Sequence, residues 1–189
     1  MNYADFQFLK FETRPSGVLL ITLNRPEVMN ATNARLHWEL TQIWGVVNDD
    51  PATRVVVVTG AGDRAVSAGG DLNWIAETVG NSEKVAATMK EAGDIVFNML
   101  ACDKPIISAI NGVAVGAGAV IACACDFRIA SAGAKFGFIF PKVGLCGADM
   151  GATYLLPLYL AQVQGYSAQQ IGQTIMWSGR LGWQTWLVR

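Results

Sequence analysis

The chain has 189 residues, of which 52% are hydrophobic and only 15% are charged. This length suits one domain with a large buried core. The formal net charge of −1 excludes the strongly basic surface with which proteins bind nucleic acid. The longest apolar run, residues 109–125, is interrupted by Asn111 and three glycines. We therefore expect no transmembrane helix and no membrane partner.

The four cysteines show no metal-binding pattern. Cys123 and Cys125 form a C-A-C pair, which is not a usual zinc spacing, and the single histidine, His37, lies far away in sequence. The N-terminal residues lack the basic and then apolar pattern of a signal peptide. We therefore predict reduced, mostly buried thiols, no metal site and a cytoplasmic location. His37 itself is expected to be a packing or surface residue.

Hydrophobic periodicity predicts strands that alternate with helices. The predicted strands are residues 6–11, 18–23, 54–60, 105–110, 127–130 and 136–138. The predicted helices are residues 33–48, 82–100 and 116–124, and a further helix begins near Gly151. A turn at residues 14–17 should join the first two strands into a hairpin, and the β-branched run at residues 54–60 is typical of a strand buried on both faces. This order predicts an α/β fold with parallel strands.

The composition changes near the C-terminus. No Asp or Glu follows Asp149, and the last 28 residues contain three of the six tryptophans. Helices normally carry acids on their solvent face, so this segment does not resemble an ordinary pair of surface helices. We therefore expect a core at residues 1–161 and an atypical tail, altered or truncated, at residues 162–189.

Two glycine-rich loops interrupt the apolar pattern, SAGGDL at residues 67–72 and NGVAVGAG at residues 111–118. Alone, the first could be an ordinary turn in which Asp71 caps the next helix. The second is not a dinucleotide fingerprint, because Ile121 replaces the third glycine and no acid follows about twenty residues on. Together the loops can supply two converging backbone N–H groups. Such an oxyanion hole stabilises negative charge that develops on a carbonyl oxygen.

Several segments resemble the crotonase (enoyl-CoA hydratase/isomerase) family and occur in the family's order. They are LNRPE (23–27), NA (30–31), SAGGDL (67–72), KPIISAINGVAVGAGAVIACACDFRIAS (104–131), KFGF (135–138) and VGLCGADMGAT (143–153). The resemblance implies an α/β crotonase-type spiral of ββα units, here with a short or atypical C-terminal helical segment. It also implies an acyl-CoA substrate, no cofactor apart from the coenzyme A of that substrate, and a homotrimer or hexamer.

The resemblance also assigns residues to the site. It places the oxyanion hole on the backbone N–H groups of Ala68 and Ala117, which would hold the thioester oxygen as an enolate forms. The residues that would border the coenzyme A adenine are Asn30, Ala31, Ala65 and Val66. The other residues expected to bind the substrate are Gly69, Gly70, Asp71, Leu72, Gly116, Val120 and Phe140.

Two positions depart from the family pattern. Hydratases of the family carry catalytic glutamates where this chain has Val120 and Phe140. Hydration needs one group to activate water and another to protonate the α-carbon, and neither residue here can ionise. The two-glutamate mechanism therefore cannot operate here in its usual form.

Asp149 is the remaining candidate for proton transfer. Dienoyl-CoA isomerases of the same family place an aspartate in a similar context, and a carboxylate in an apolar pocket has a raised pKa that suits it to proton exchange. Asp149 could equally cap the helix that begins near Gly151, and the two roles are compatible.

Three functions remain open from the sequence. The first is an enzyme that hydrates an enoyl-CoA or isomerises its double bond. The second is a non-catalytic acyl-CoA-binding protein of the same fold, and the third is an acyl-CoA thioester hydrolase. Asp149 favours the enzyme, whereas Val120 and Phe140 favour the binding protein.

Overall fold

The computed structural model describes residues 1–143, together with Met150 and Ser167. Its helices and strands follow one another in the order β1 (Leu9–Arg14), β2 (Val18–Leu23), α1 (Ala34–Asp49), β3 (Val55–Gly60), β4 (Ala65–Ser67), α2 (Leu72–Thr78), α3 (Ser82–Leu100), β5 (Ile106–Ile110), β6 (Val113–Val115), α4 (Ala117–Ala124), β7 (Phe127–Ala130) and β8 (Lys135–Gly137). Short 3-10 turns occur at Tyr3–Asp5, Pro15–Gly17, Pro26–Val28 and Phe140–Val143.

The strands form two sheets, one of five strands in the order β1-β2-β3-β5-β7 and one of three in the order β4-β6-β8. β1 and β2 form the predicted antiparallel hairpin, and all other neighbouring strands are parallel. From β3 onwards the strands follow one another in pairs, β3 and β4, β5 and β6, and β7 and β8. The first strand of each pair belongs to the large sheet and the second to the small sheet. Helices follow the first two of these strand pairs. This arrangement confirms the predicted α/β spiral of ββα units.

The chain crosses from one sheet to the other at two glycines. A Cβ atom on Gly60 would lie 2.1 Å from the carbonyl oxygen of Ala65, and one on Gly112 would lie 2.2 Å from that of Arg64. Real Cβ atoms essentially never approach a backbone atom so closely. Glycine at both positions therefore allows the two sheets to meet at the angle that the spiral requires.

The predicted boundaries of β2, α3 and β7 agree with the structure, but the first strand was misplaced. It begins at Leu9 rather than at residue 6, because the N–H groups of Gln7 and Phe8 donate to the carboxylate of Glu39 on α1 (2.6 and 2.9 Å). Those donors are consequently unavailable to a neighbouring strand.

Three elements were not predicted. β4 and β6 have only three residues each, which is too short for an alternating pattern to appear. α2 has only seven residues, which is too short for a helical repeat of apolar residues to be recognised, and none of them is buried.

The core lies where α1, α3 and α4 pack with the five-stranded sheet. All eight residues of α4 are buried, as its small apolar sequence predicted. The prediction for β3 was only partly right. Val56 and Val58 are fully buried, but Val55, Val57 and Thr59, which alternate with them, are half-buried rather than enclosed on the second face.

Candidate active site

The two glycine-rich loops meet because the strands before them are neighbours. β4 and β6 pair in parallel, with Ser67 opposite Ala114, so their carboxyl ends lie side by side. A Cβ atom on Gly69 would lie 2.9 Å from the carbonyl oxygen of Val115, and one on Gly116 would lie 3.6 Å from the Cα of Gly69. Gly116 has a φ of +53°, which favours glycine there. The loops therefore touch through backbone atoms.

The first unengaged donor at this contact belongs to the second loop. Ala117 is the first residue of α4, and its N–H has no acceptor within residues 1–143. The first four N–H groups of any helix lack intrahelical acceptors and lie at the positive end of its dipole. Ala117 N–H can therefore donate to an oxygen in front of α4.

The donors of the first loop differ from the prediction. The N–H of Ala68 donates to the carbonyl oxygen of Met29 (3.0 Å) and is thus engaged within the protein. Two bonds join the next residues to Thr32, whose N–H donates to Gly69 O (2.7 Å) and whose carbonyl oxygen accepts from Asp71 N–H (2.9 Å). Gly69 C=O and Gly70 N–H belong to one trans peptide and point in opposite directions, so the N–H of Gly70 faces away from Thr32. It has no acceptor in the part of the chain that the structure describes.

A cavity of about 410 Å³ lies beside this contact. Nine of the residues predicted for the site line it: Ala31, Ala68, Gly69, Gly70, Asp71, Leu72, Gly116, Ala117 and Phe140. Most of the remaining wall is apolar, and it includes side chains from α2, α3 and the segment after β8, with Ile75, Met89 and Ile139 as examples. An apolar cavity with a few backbone donors at one side suits a ligand that has an acyl chain and a carbonyl oxygen.

Asn30, Ala65 and Val66 do not belong to the cavity wall that the structure describes. Asn30 is fully buried with a φ of +56°, and its side chain accepts from Arg25 N–H (2.9 Å) and donates to Ala61 O (3.0 Å) and Ala65 O (2.9 Å). It therefore holds the 25–31 loop against β4. Ala65 and Val66 are buried residues of β4, the strand against which this loop is held.

Val120 and Phe140, where the resemblance would place the catalytic glutamates, have different surroundings. Val120 is fully buried in the core and is absent from the described cavity wall, whereas Phe140 lines the cavity. The ring of Phe140 lies close to Gly116, since a Cβ atom on that glycine would be 3.9 Å from the ring's Cε1.

Asp71 has the capping role that its sequence position predicts. Its carboxylate accepts from Asn73 N–H (3.1 Å) at the start of α2 and pairs with the Arg25 guanidinium (3.3 Å). Arg25 also donates to Ala31 O (2.5 Å). The pair thus ties the 25–31 loop to the first glycine-rich loop.

His37 was expected to be a packing or surface residue, and it packs, but it also lines the cavity. Its side chain is almost fully buried, and its Nδ1 lies 2.8 Å from Glu91 Oε2 on α3. Its ring centroid is 4.9 Å from that of Trp74 on α2. Sequence reasoning missed this site because Glu91 is 54 positions away and α2 was not predicted.

Asp149 lies outside the described residues, so its role stays a prediction. Cys123 and Cys125 are buried, as the sequence predicted, and burial raises the pKa of each thiol to about 12. Among the helices that the structure describes, none is both long and apolar enough to cross a membrane.

Comparison with known proteins gives the family. The enoyl-CoA hydratase/isomerase family model matches residues 13–176. The chain belongs to this family. Among curated relatives, it is 40% identical to (E)-benzylidenesuccinyl-CoA hydratase of Thauera aromatica over 84% of this chain and 60% of that protein. It is 36% identical to 1,2-epoxyphenylacetyl-CoA isomerase of Escherichia coli over 84% of this chain and 61% of that protein.

Solved structures of the family have the same fold. An enoyl-CoA hydratase/isomerase from Mycobacterium paratuberculosis aligns with a TM-score of 0.76 at 31% identity, over 89% of this chain and 71% of that one. Enoyl-CoA hydratase from Bacillus anthracis aligns with a TM-score of 0.75 at 30% identity, over 88% of this chain and 62% of that one. The chain spans between 52% and 61% of the length of five curated family members that it matches.

Proposed function

We propose that this protein binds an acyl-CoA thioester in the cavity and stabilises the enolate of the thioester through two backbone N–H groups. The observation that carries the proposal is the contact between the two loops, which places unengaged donors at one side of an apolar cavity. A preorganised donor of this kind contributes about 3 kcal/mol to transition-state stabilisation. Family membership supports the same ligand class.

We assign the two donors to Ala117 and Gly70. The resemblance gave Ala68 as the donor of the first loop, but a thioester oxygen could use that N–H only by replacing the carbonyl oxygen of Met29. The N–H of Gly70, in the same loop and also in the cavity wall, needs no such exchange.

The reaction that we propose is hydration or double-bond isomerisation of an enoyl-CoA, with coenzyme A as part of the substrate. Asp149 is the proposed proton-transfer group. It is joined by a peptide bond to Met150, which is buried and lines the cavity. Of the residues proposed to border the adenine, Ala31 lines the cavity, whereas Asn30, Ala65 and Val66 are buried and are not part of the described cavity wall.

Calorimetry tests the ligand class directly. Acetoacetyl-CoA, which resembles an enolate, should release heat on binding, and NADH should not. No heat with several acyl-CoA thioesters, from protein that is folded by circular dichroism, would contradict the proposal.

A second candidate function is acyl-CoA binding without catalysis. Val120 and Phe140 favour it, because neither can transfer a proton where the family's glutamates would. A panel of 2-enoyl-, 3-enoyl- and dienoyl-CoA thioesters separates the candidates. Turnover supports the enzyme, binding without turnover supports the binding protein, and release of free coenzyme A identifies a thioester hydrolase.

A further inference from the structure

The imidazole of His37 has one ring nitrogen that is free to meet a ligand. The residue lines the cavity from α1, and 5% of its side-chain surface is exposed. Nδ1 lies 2.8 Å from Glu91 Oε2, and because an ionised carboxylate only accepts, Nδ1 carries the proton and Nε2 of the neutral ring is an acceptor. No residue in the described part of the chain pairs with Nε2, yet Nε2 is not among the unpartnered polar atoms that the protein encloses.

Two neighbouring helices hold the ring in place. Glu91 belongs to α3, and the ring of Trp74 on α2 has its centroid 4.9 Å from that of His37. A carboxylate at one imidazole nitrogen fixes the tautomer and the orientation of the ring. It also stabilises the imidazolium that forms when the other nitrogen takes a proton. This is the arrangement that a general base requires.

The rest of the described cavity wall offers no comparable proton acceptor. Its one other ionisable residue is Asp71, whose carboxylate pairs with Arg25 and caps α2. Double-bond isomerisation needs a proton removed from one carbon and a proton delivered to another. Asp149 is proposed for one of these transfers, which leaves the other without an assigned group.

His37 lies on the side of the cavity that suits the acyl chain. The proposed oxyanion donors, Ala117 and Gly70, belong to the two glycine-rich loops, whereas the His37 side chain contacts α2 and α3, which contribute apolar side chains to the wall. A thioester whose oxygen binds at the loops would place its apolar chain against these helices. Nε2 would then face a carbon of the chain rather than the thioester oxygen.

We propose that His37 is a catalytic base that removes a proton from the γ-carbon of a 2-enoyl thioester, an inference that rests on the proposed acyl-CoA function. The proton moves to Nε2, and the Glu91 carboxylate balances the charge of the imidazolium. The residue thus complements Asp149, because each group serves a different carbon of the same isomerisation.

The electrons of this step end on the thioester oxygen. The pair from the broken C–H bond forms a double bond between the β- and γ-carbons, and the former α,β-double bond moves to lie between the α-carbon and the thioester carbon. The negative charge on the oxygen is bound by the N–H groups of Ala117 and Gly70. Return of a proton to the α-carbon gives the 3-enoyl isomer, and return to the γ-carbon regenerates the starting thioester.

Deuterium exchange isolates this step from the complete reaction. The γ-hydrogens of crotonyl-CoA are those of its methyl group, and each removal and return in D2O replaces one of them with deuterium. Proton NMR of the methyl signal measures the rate. We expect exchange with the unmodified protein and a rate about 100- to 10,000-fold lower in His37→Asn, whose amide nitrogen can still donate to Glu91.

A matched control separates proton transfer from packing. Asn98→Ala also removes a hydrogen bond between α3 and α1, from Asn98 Nδ2 to Thr41 O (2.9 Å), but neither residue belongs to the described cavity wall. This variant should exchange at the rate of the unmodified protein. Calorimetry should show that His37→Asn still binds acetoacetyl-CoA, since the base is not needed for binding.

The unmodified protein gives a second test, because His37 is the only histidine of the chain. Diethyl pyrocarbonate, which acylates a free imidazole nitrogen, should stop the exchange, and hydroxylamine, which removes the acyl group, should restore it. Bound acetoacetyl-CoA should slow the modification. Full exchange by protein that mass spectrometry shows to be modified at His37 would contradict the proposal even if His37→Asn failed to fold.

The remaining outcomes also decide the proposal. Normal exchange by folded His37→Asn would overturn it, as would an equal loss in Asn98→Ala, which would assign the effect to packing of α1 against α3. Absence of exchange by an unmodified protein that binds crotonyl-CoA would overturn this inference alone. If neither crotonyl-CoA nor acetoacetyl-CoA binds, the proposed function itself is wrong and the inference falls with it.

Discussion

At the residue scale, one substitution separates proton transfer by Asp149 from helix capping. Asp149→Asn keeps the shape but removes the basic carboxylate, so turnover of an enoyl-CoA should fall by about 100- to 10,000-fold. Asparagine caps a helix as well as aspartate, so the free energy of unfolding should change little. Steady-state kinetics, urea unfolding and calorimetry with acetoacetyl-CoA measure activity, stability and binding in turn.

The opposite result is equally informative. An Asp149→Asn variant with full activity would leave Asp149 as a cap only. If the unmodified protein binds every thioester of the panel but converts none, the acyl-CoA-binding function replaces the enzyme and Asp149 is structural.

A proline at Ala117 tests the oxyanion donor. Proline has no N–H, but the first position of a helix tolerates it, so Ala117→Pro should remove the donor while α4 still forms. Turnover should fall by roughly 100- to 1,000-fold. The matched control is Ala34→Pro, at the same position of α1 on an exposed residue, which should keep its activity. Normal turnover by folded Ala117→Pro would show that the donor is misassigned.

At the scale of elements, the crossing between the sheets depends on glycine. In Gly112→Ala the new Cβ would lie 2.2 Å from Arg64 O, a backbone atom that cannot move away without disturbing β4. Urea unfolding should show a loss of about 1–3 kcal/mol or more. Gly45→Ala is the control. No atom lies within 4 Å of its new Cβ, and alanine in a helix should raise stability by about 0.5–1 kcal/mol. An unchanged free energy of unfolding in Gly112→Ala would mean that the backbone at the crossing leaves room for a Cβ atom.

At the scale of the whole molecule, the edge of the large sheet favours assembly. β7 is the last strand of that sheet among the described residues, and its Phe127 and Ile129 side chains are 60% and 67% exposed. We expect the homotrimer or hexamer that the resemblance implies, with this edge covered. Ile129→Lys should lower the mass measured by light scattering, whereas Thr13→Lys on the opposite edge strand should not. A monomeric unmodified protein would contradict the expectation.

The atypical composition after Asp149 leads to a prediction about the tail. If residues 162–189 do not pack as a family core segment does, chymotrypsin should cut there first, since loosely packed termini are preferred cleavage sites. Trp44, which is 1% exposed in the core, should be cut last. Mass spectrometry of the early fragments checks the order, and a tail that survives as long as the core would refute the prediction.

The sequence by itself determined the strands of the large sheet, the three longer helices, the family and the two loops that meet, but not the short strands β4 and β6. Apolar periodicity predicts the observed boundaries of β2, α3 and β7, because the spacing of apolar residues within a short segment indicates which of them are buried. The resemblance assigned the oxyanion donor of the second loop to Ala117 from a local motif, and the N–H of Ala117 has no acceptor within residues 1–143.

Only the tertiary structure decided which polar atoms are free. Ala68 N–H donates to Met29, which comes from a loop 39 positions earlier, whereas Gly70 N–H has no acceptor among the described residues. The partner of a single N–H or hydroxyl is set by residues that are distant in sequence. For the same reason, local patterns could not reveal that the side chain of His37 contacts that of Glu91.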